Sequence, residues 1–194
     1  MKRTSISALV VALLLAFAGA AQAAIIHFSV DLLGTNENPP NASPGHGTAT
    51  IDLDIAGMTL AISVAFADLL GNTTASHIHC CAAPPTNAPV ATQVPTFSGF
   101  PLGVTSGSYS HTFDMSLASS YNPTFISAHG NTVATAFADL VAGMLGGQSY
   151  LNIHTQQFGG GEIRGLLVQV PEPTSLALLG VALAGLGTLR RRTQ

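Results

Sequence analysis

The stretch from Ile51 to Phe66 reads IDLDIAGMTLAISVAF and decides the fold class of this chain. Apolar residues take every second position on both sides of Ala56-Gly57, namely Ile51, Leu53 and Ile55 before it and Leu60, Ile62, Val64 and Phe66 after it. A period of two is typical of a strand with one buried face. The stretch therefore predicts a β-hairpin with its turn at Ala56-Gly57.

Similar alternation recurs along the rest of the chain. It predicts further strands at about 25–33, 74–80, 108–115, 148–154 and 162–170. Many short strands joined by segments rich in glycine and proline favour an all-β fold, an antiparallel sandwich or barrel. The absence of tryptophan and the low share of charged residues are typical of a secreted β-rich module.

Two segments depart from this alternation. Phe137, Leu140, Val141 and Met144 recur at helical spacing, and Gly146-Gly147 follows them, which predicts one short helix across an end of the sandwich. Residues 82–107 contain Pro84, Pro85, Pro89, Pro95 and Pro101. That much proline is incompatible with regular sheet, so we expect a long loop, and such loops often carry function.

The N-terminus has the three parts of a secretion signal. Lys2 and Arg3 precede an apolar run over 6–17, and small residues lead to Ala21-Gln22-Ala23. This pattern predicts a signal helix over residues 1–23, with cleavage before Ala24. We therefore expect the protein to be exported across the inner membrane.

The C-terminus predicts a short transmembrane helix. Residues 175–189 are apolar or small, and Arg190, Arg191 and Arg192 follow directly. The run is barely long enough to cross a bilayer. Because arginines beside a span favour the cytoplasmic side, the residues before Pro171 would lie outside.

The sequence Pro171-Glu172-Pro173 stands just before that apolar run. With the hydrophobic helix and the arginine cluster, it makes residues 171–194 resemble the PEP-CTERM sorting signal of Gram-negative bacteria. The resemblance implies recognition by an exosortase-type enzyme in the inner membrane, cleavage near the motif, and passage to the cell surface or beyond. The membrane helix is then a transient handle. A permanent anchor remains the alternative, because hydropathy does not separate the two.

Residues 24–170 remain as one domain, and this domain is strongly acidic. It holds eight acidic residues and a single basic one, Arg164, which gives eight minus one, a net charge of −7. A surface of that sign repels phosphate backbones, so we expect no nucleic-acid partner.

The densest group of candidate ligands is His77-Ile78-His79-Cys80-Cys81. Residues two apart on a strand share a face, so His77 and His79 can approach one ion. Imidazole and thiolate are ligands for copper and zinc. The alternative is a pair of histidines hydrogen-bonded on a sheet face.

The adjacent cysteines allow several states. Neighbouring Cα atoms lie about 3.8 Å apart across a trans peptide, so we expect Cys80 and Cys81 not to pair easily. Free thiols, metal ligands, a vicinal bridge and intermolecular bonds all stay open.

A second group follows in 150–155, YLNIHT, and in 161–165, GEIRG. Alternation places Tyr150, Asn152 and His154 on one face and Glu162 with Arg164 on a matching face. We interpret the charges as a Glu–Arg cross-strand pair that fixes register.

Five motifs in order resemble the chordin-type (CHRD) domain over 27–169: LGTNENPP at 33–40, the hairpin, His-Ile-His, YLNIHT and GEIRG. The resemblance implies an extracellular, immunoglobulin-like β-sandwich, in a family whose bacterial members lack an established activity. The chain departs from the family pattern at Cys80-Cys81.

Two functions are compatible with these observations. The first is a non-enzymatic surface or extracellular-matrix protein that binds through the sandwich or the proline-rich loop, with exopolysaccharide or other surface proteins as candidate partners. The chain contains no nucleophile elbow, phosphate loop or paired-carboxylate motif, so we expect no catalytic residues. The second is an extracellular copper or zinc domain that uses His77, His79 and His154, with Cys80 and Cys81 as further candidate ligands.

Overall fold

The computed structural model describes residues 25–171. The predicted signal helix over 1–23, the hydrophobic helix, Glu172, Pro173 and the arginine cluster lie outside the described residues. Within 25–171, no helix combines the length and the apolar character needed to cross a membrane.

Eight strands form one antiparallel sheet in these residues. They are β1 (Ile26–Leu33), β2 (His46–Asp54), β3 (Thr59–Ala67), β4 (Thr73–Cys80), β5 (Gly107–Asp114), β6 (Ser149–Thr155), β7 (Ile163–Leu166) and β8 (Val168–Val170). The order across the sheet is β4-β6-β7-β1-β2-β3-β5, and β8 pairs with β1 beside this path. The all-β antiparallel prediction is confirmed.

The predicted hairpin is β2 and β3, and its register places Leu53 opposite Leu60. Alternation buries one face of each strand, so that Ile51, Leu53, Leu60 and Ile62 are almost fully enclosed. Ile55 was expected on the same face, but it is 42% exposed because β2 ends at Asp54 and Ile55 lies in the turn.

One hydrophobic cluster receives side chains from β1 through β7. Ile78 of β4 and Phe113 of β5 belong to it, although these strands stand at opposite ends of the strand order. The sheet therefore curls around a single core. The strands on opposite sides of that core belong to one hydrogen-bonded sheet.

Two α-helices lie between β5 and β6, where the sequence predicted one. The predicted helix is α2 (Val133–Leu145), which buries Phe137, Leu140 and Met144 and is capped by the Thr132 side chain. The unpredicted one is α1 (Pro123–Ala128), with Asn122 as its N-cap. Residues 81–106 form no helix and no named strand, which agrees with the predicted loop.

Candidate metal centre

Alternation places the candidate ligands on one face of two neighbouring strands. His77 and His79 of β4 point away from Ile78, which is fully buried in the core. On β6, Asn152 is paired with His77 and Tyr150 with His79. His154 follows on the same face of β6, next to a register shift between Thr73 and Ala75 of β4. His154 pairs with Ala75 and so lies diagonally from His77, and the centroids of their rings are 5.2 Å apart.

Backbone carbonyls fix the orientation of all three imidazole rings. Pro95 O lies 2.6 Å from His77 Nε2, Ala88 O lies 2.8 Å from His79 Nδ1, and Gly159 O lies 3.0 Å from His154 Nδ1. A carbonyl oxygen only accepts, so each of these nitrogens carries the hydrogen. The lone pair of each neutral ring is therefore on the other nitrogen.

Those other nitrogens are His77 Nδ1, His79 Nε2 and His154 Nε2. Each is buried and has no hydrogen-bond partner among the described residues. The three rings offer one ligand atom each, and these atoms lie within 4.8 Å of one another. Tetrahedral zinc with bonds of about 2.0–2.1 Å holds its ligand nitrogens about 3.3 Å apart. A side-chain movement of about 1 Å or less would therefore close the rings around an ion.

The three histidines of this group, His77, His79 and His154, are electrically neutral near pH 7. Burial lowers the pKa of His77 and of His79 to about 4, despite the opposing effect of the carbonyls of Pro95 and Ala88. Burial also lowers the pKa of His154. Neutral imidazole is the state that binds a metal ion.

A layered stack supports the site from one side. The Tyr150 ring lies on His79 with centroids 4.7 Å apart and planes 8° apart, and the Arg164 guanidinium lies 4.6 Å from the centre of the Tyr150 ring. Arg164 donates to Asn36 O, to Asn87 Oδ1 at 2.6 Å and to Pro85 O at 3.0 Å. The domain's one cation therefore holds two loops against the sheet.

The comparisons with known proteins identify the domain. A family model for the CHRD domain matches residues 28–167. The chain belongs to the CHRD family. A model for the PEP-CTERM protein-sorting motif matches residues 169–192. The chain is thus an extracellular protein that carries an exosortase sorting signal. No curated protein and no solved structure was found to match the chain.

The cysteines of the CHRD domain form a disulfide with each other. The peptide between Cys80 and Cys81 is cis, and their Cα atoms are 3.1 Å apart, whereas the expectation against pairing assumed a trans peptide. Cys80 is fully buried. Since both sulfurs are bonded, neither is available as a thiolate ligand, and the ligand group in the described residues consists of histidines alone.

The expected cross-strand Glu–Arg pair is wrong, because the carboxylate beside Arg164 is that of Glu37, which lies in a loop rather than on a neighbouring strand. Arg164 Nε is 3.9 Å from Glu37 Oε2. Burial raises the pKa of Glu37 to about 7, against the opposing effect of the Arg164 charge. Glu37 was not among the candidate site residues, since its approach to Arg164 depends on how its loop packs against β7.

Glu162, the acidic residue of the GEIRG motif, has different partners. Its carboxylate accepts hydrogen bonds from Ser43 Oγ at 2.6 Å, Leu70 N at 2.6 Å, Gly71 N at 3.2 Å and Thr155 Oγ1 at 2.7 Å. Burial alone would raise its pKa, but these hydrogen bonds outweigh that effect and lower it. Glu162 ties two loops of the CHRD domain to β6.

Proposed function

We propose that the CHRD domain binds one copper or zinc ion through His77 Nδ1, His79 Nε2 and His154 Nε2. The observation that carries the proposal is that the three rings offer ligand nitrogens within 4.8 Å of one another, while each ring also has one buried, unpartnered nitrogen. The opposite nitrogen of each ring meets a backbone carbonyl, an arrangement that fixes ligand histidines in metal sites.

The energetics favour a ligand role over a purely structural one. Leaving a buried acceptor without a partner costs about 1–3 kcal/mol. Three histidines kept only for packing would gain nothing from these unpartnered nitrogens. An ion would bind all three lone pairs at once, and this would offset the free-energy cost of burying them without partners.

The donor set selects the class of metal. Calcium and magnesium prefer oxygen ligands, whereas imidazole suits copper and zinc. The ligand group contains no carboxylate. Three imidazoles leave a fourth position of a tetrahedral ion without a ligand from this group.

After delivery by the exosortase-type enzyme, and transient contact with the inner membrane, the domain acts as a non-enzymatic module at the cell surface or in the matrix.

A cleft of about 590 Å³ beside Arg164 and Tyr150 favours partner binding as a second candidate function. Asp31 and Glu37 line this cleft. Exopolysaccharide and other surface proteins are the partners to test.

Metal titration tests the lead proposal. The purified chain, stripped with a chelator, is expected to bind one equivalent of copper or zinc by calorimetry and elemental analysis. The double variant His77→Ala, His79→Ala should lose affinity at least 100-fold, because one imidazole remains. His46→Ala is the matched control, since this exposed histidine is absent from the ligand group. Absence of stoichiometric metal in the unmutated protein would refute the proposal.

The sorting tail has its own test. Deletion of Pro171 to Gln194 is expected to release the protein in soluble form, because the predicted membrane handle is removed. Fractionation of cells and medium measures this release. A truncated protein that still sediments with membranes would contradict the handle.

A further inference from the structure

Asn152 stands in the middle of the face that carries the histidines. It lies directly opposite His77 on β4 and two residues before His154 on β6. Directly opposed residues have Cβ atoms about 4.5–5.5 Å apart. Asn152 is 1% exposed, and its Oδ1 atom has no hydrogen-bond partner among the described residues.

The other end of the Asn152 amide is anchored. Nδ2 donates to Glu37 Oε1 at 3.2 Å and to Oε2 at 3.4 Å. Where Glu37 is ionised, above its raised pKa of about 7, its oxygens only accept, so this contact identifies Nδ2 and leaves Oδ1 on the opposite side of the amide.

Gly161 keeps this anchor intact. A Cβ atom at position 161 would lie 2.4 Å from Asn152 Nδ2 and 2.7 Å from both Asn152 Oδ1 and Glu37 Oε1, so it would crowd both ends of the amide. The φ of Gly161 is 132°, a conformation that other residues rarely adopt. Glycine at position 161 therefore leaves the space in which Glu37 contacts Asn152.

We propose that Asn152 Oδ1 accepts a hydrogen bond from a water molecule bound at the fourth position of the histidine-held ion. This inference rests on the proposed metal site. Three imidazoles and one solvent ligand complete a tetrahedral zinc or copper site. An amide oxygen fixed by its own nitrogen provides the acceptor that orients the water.

The proposal gives the site a ligand class. A metal-bound water can be replaced by a small anion or another small donor, whereas a fourth protein ligand would block that exchange. The three histidine nitrogens are enclosed, so only a small molecule fits beside them. Azide is therefore a suitable probe.

The test uses the full-length chain in detergent, loaded with Cu²⁺. Electron–nuclear double resonance should show strongly coupled protons that disappear in D₂O, and azide should displace them. Asn152→Leu should still bind one ion, with affinity reduced about 10–100-fold as for other residues that orient metal ligands. The surface variant Asn72→Leu should leave the affinity and the proton signal unchanged, since residue 72 is exposed.

The variant Glu37→Gln tests whether Glu37 acts by anchoring the Asn152 amide or only through its charge. It should weaken metal binding in the unmutated background and have no further effect in the Asn152→Leu background. Absence of exchangeable protons on the bound ion would overturn the inference even if Asn152→Leu failed to fold. An unchanged affinity and spectrum in folded Asn152→Leu would overturn it while the metal site stands. Failure of the unmutated protein to bind metal would refute both proposals.

Discussion

Glu162→Ala is expected to destabilise the CHRD domain by about 4 kcal/mol. The carboxylate accepts from two backbone amides, Leu70 N and Gly71 N, and from the hydroxyls of Ser43 and Thr155. Alanine would leave both amides without an acceptor, at about 1–3 kcal/mol each. The hydroxyls can turn toward other acceptors and add a smaller loss.

A more conservative substitution at the same position serves as the comparison for Glu162→Ala. Glu162→Gln keeps the shape and one acceptor oxygen, so we expect about half the loss, roughly 2 kcal/mol. The effect should depend on pH. Because the folded pKa of Glu162 is lowered from 4.5, its ionised form stabilises the fold. That contribution is present above pH 4.5 and is lost as the pH falls through the folded pKa.

Urea denaturation followed by circular dichroism measures these differences, since the chain lacks tryptophan. A loss of 4 kcal/mol corresponds to a drop of roughly 8–16 °C in melting temperature for a domain of this size. Single variants Ser43→Ala and Thr155→Ala should each cost about 1 kcal/mol. A loss below about 1 kcal/mol for Glu162→Ala would refute the view that this carboxylate holds the two loops.

Two further predictions concern Glu37 and Gly143. Burial raises the pKa of Glu37 from 4.5 to about 7, so its stabilising contribution is full below pH 4.5 and is lost as the pH rises to 7. The stability of the unmutated protein should fall relative to Glu37→Gln by up to about 3 kcal/mol over that range, measured by urea denaturation; parallel pH profiles would contradict this. A Cβ atom on Gly143 would lie 2.2 Å from Cys80 Sγ and 2.6 Å from Cys81 Sγ, so Gly143→Ala should cost about 2 kcal/mol by thermal melting. Gly159→Ala, which meets nothing within 4 Å, is the control, and equal melting temperatures would count against close packing on the disulfide.

The strands could be read from the sequence because their alternation is local. Each strand predicted outside the hairpin begins and ends within about a residue of its observed bounds, except that the last is divided into β7 and β8 at Leu167. The error at Ile55 arose where the turn began one residue earlier than the alternation indicated. Helix α1 was missed because six residues carry too little periodicity, although Asn122 followed by Pro123 is a typical start signal.

The site was less accessible to sequence reasoning. Alternation alone places His77 beside His79, since both lie on β4. The approach of His154 depends on which strands pair and on the register shift near Thr73, and neither is a local property. The carbonyls that fix the rings come from Ala88, Pro95 and Gly159 in loops that carry no periodic signal. The disulfide was not predicted because the cis peptide at Cys80-Cys81 has no signature in the sequence.

The disulfide also bears on the segment that orients His79. Disulfides persist in oxidising compartments and are rare in the cytosol. The Cys80–Cys81 bond agrees with the export that the sorting motif matched at residues 169–192 implies. Cys80 directly follows His79, and the segment after the disulfide returns along β4, where Cys80 N donates to Pro89 O. The same segment supplies the Ala88 carbonyl that orients His79. The disulfide and the carbonyl that orients His79 therefore lie on one short segment, which joins the end of β4 to the proposed site.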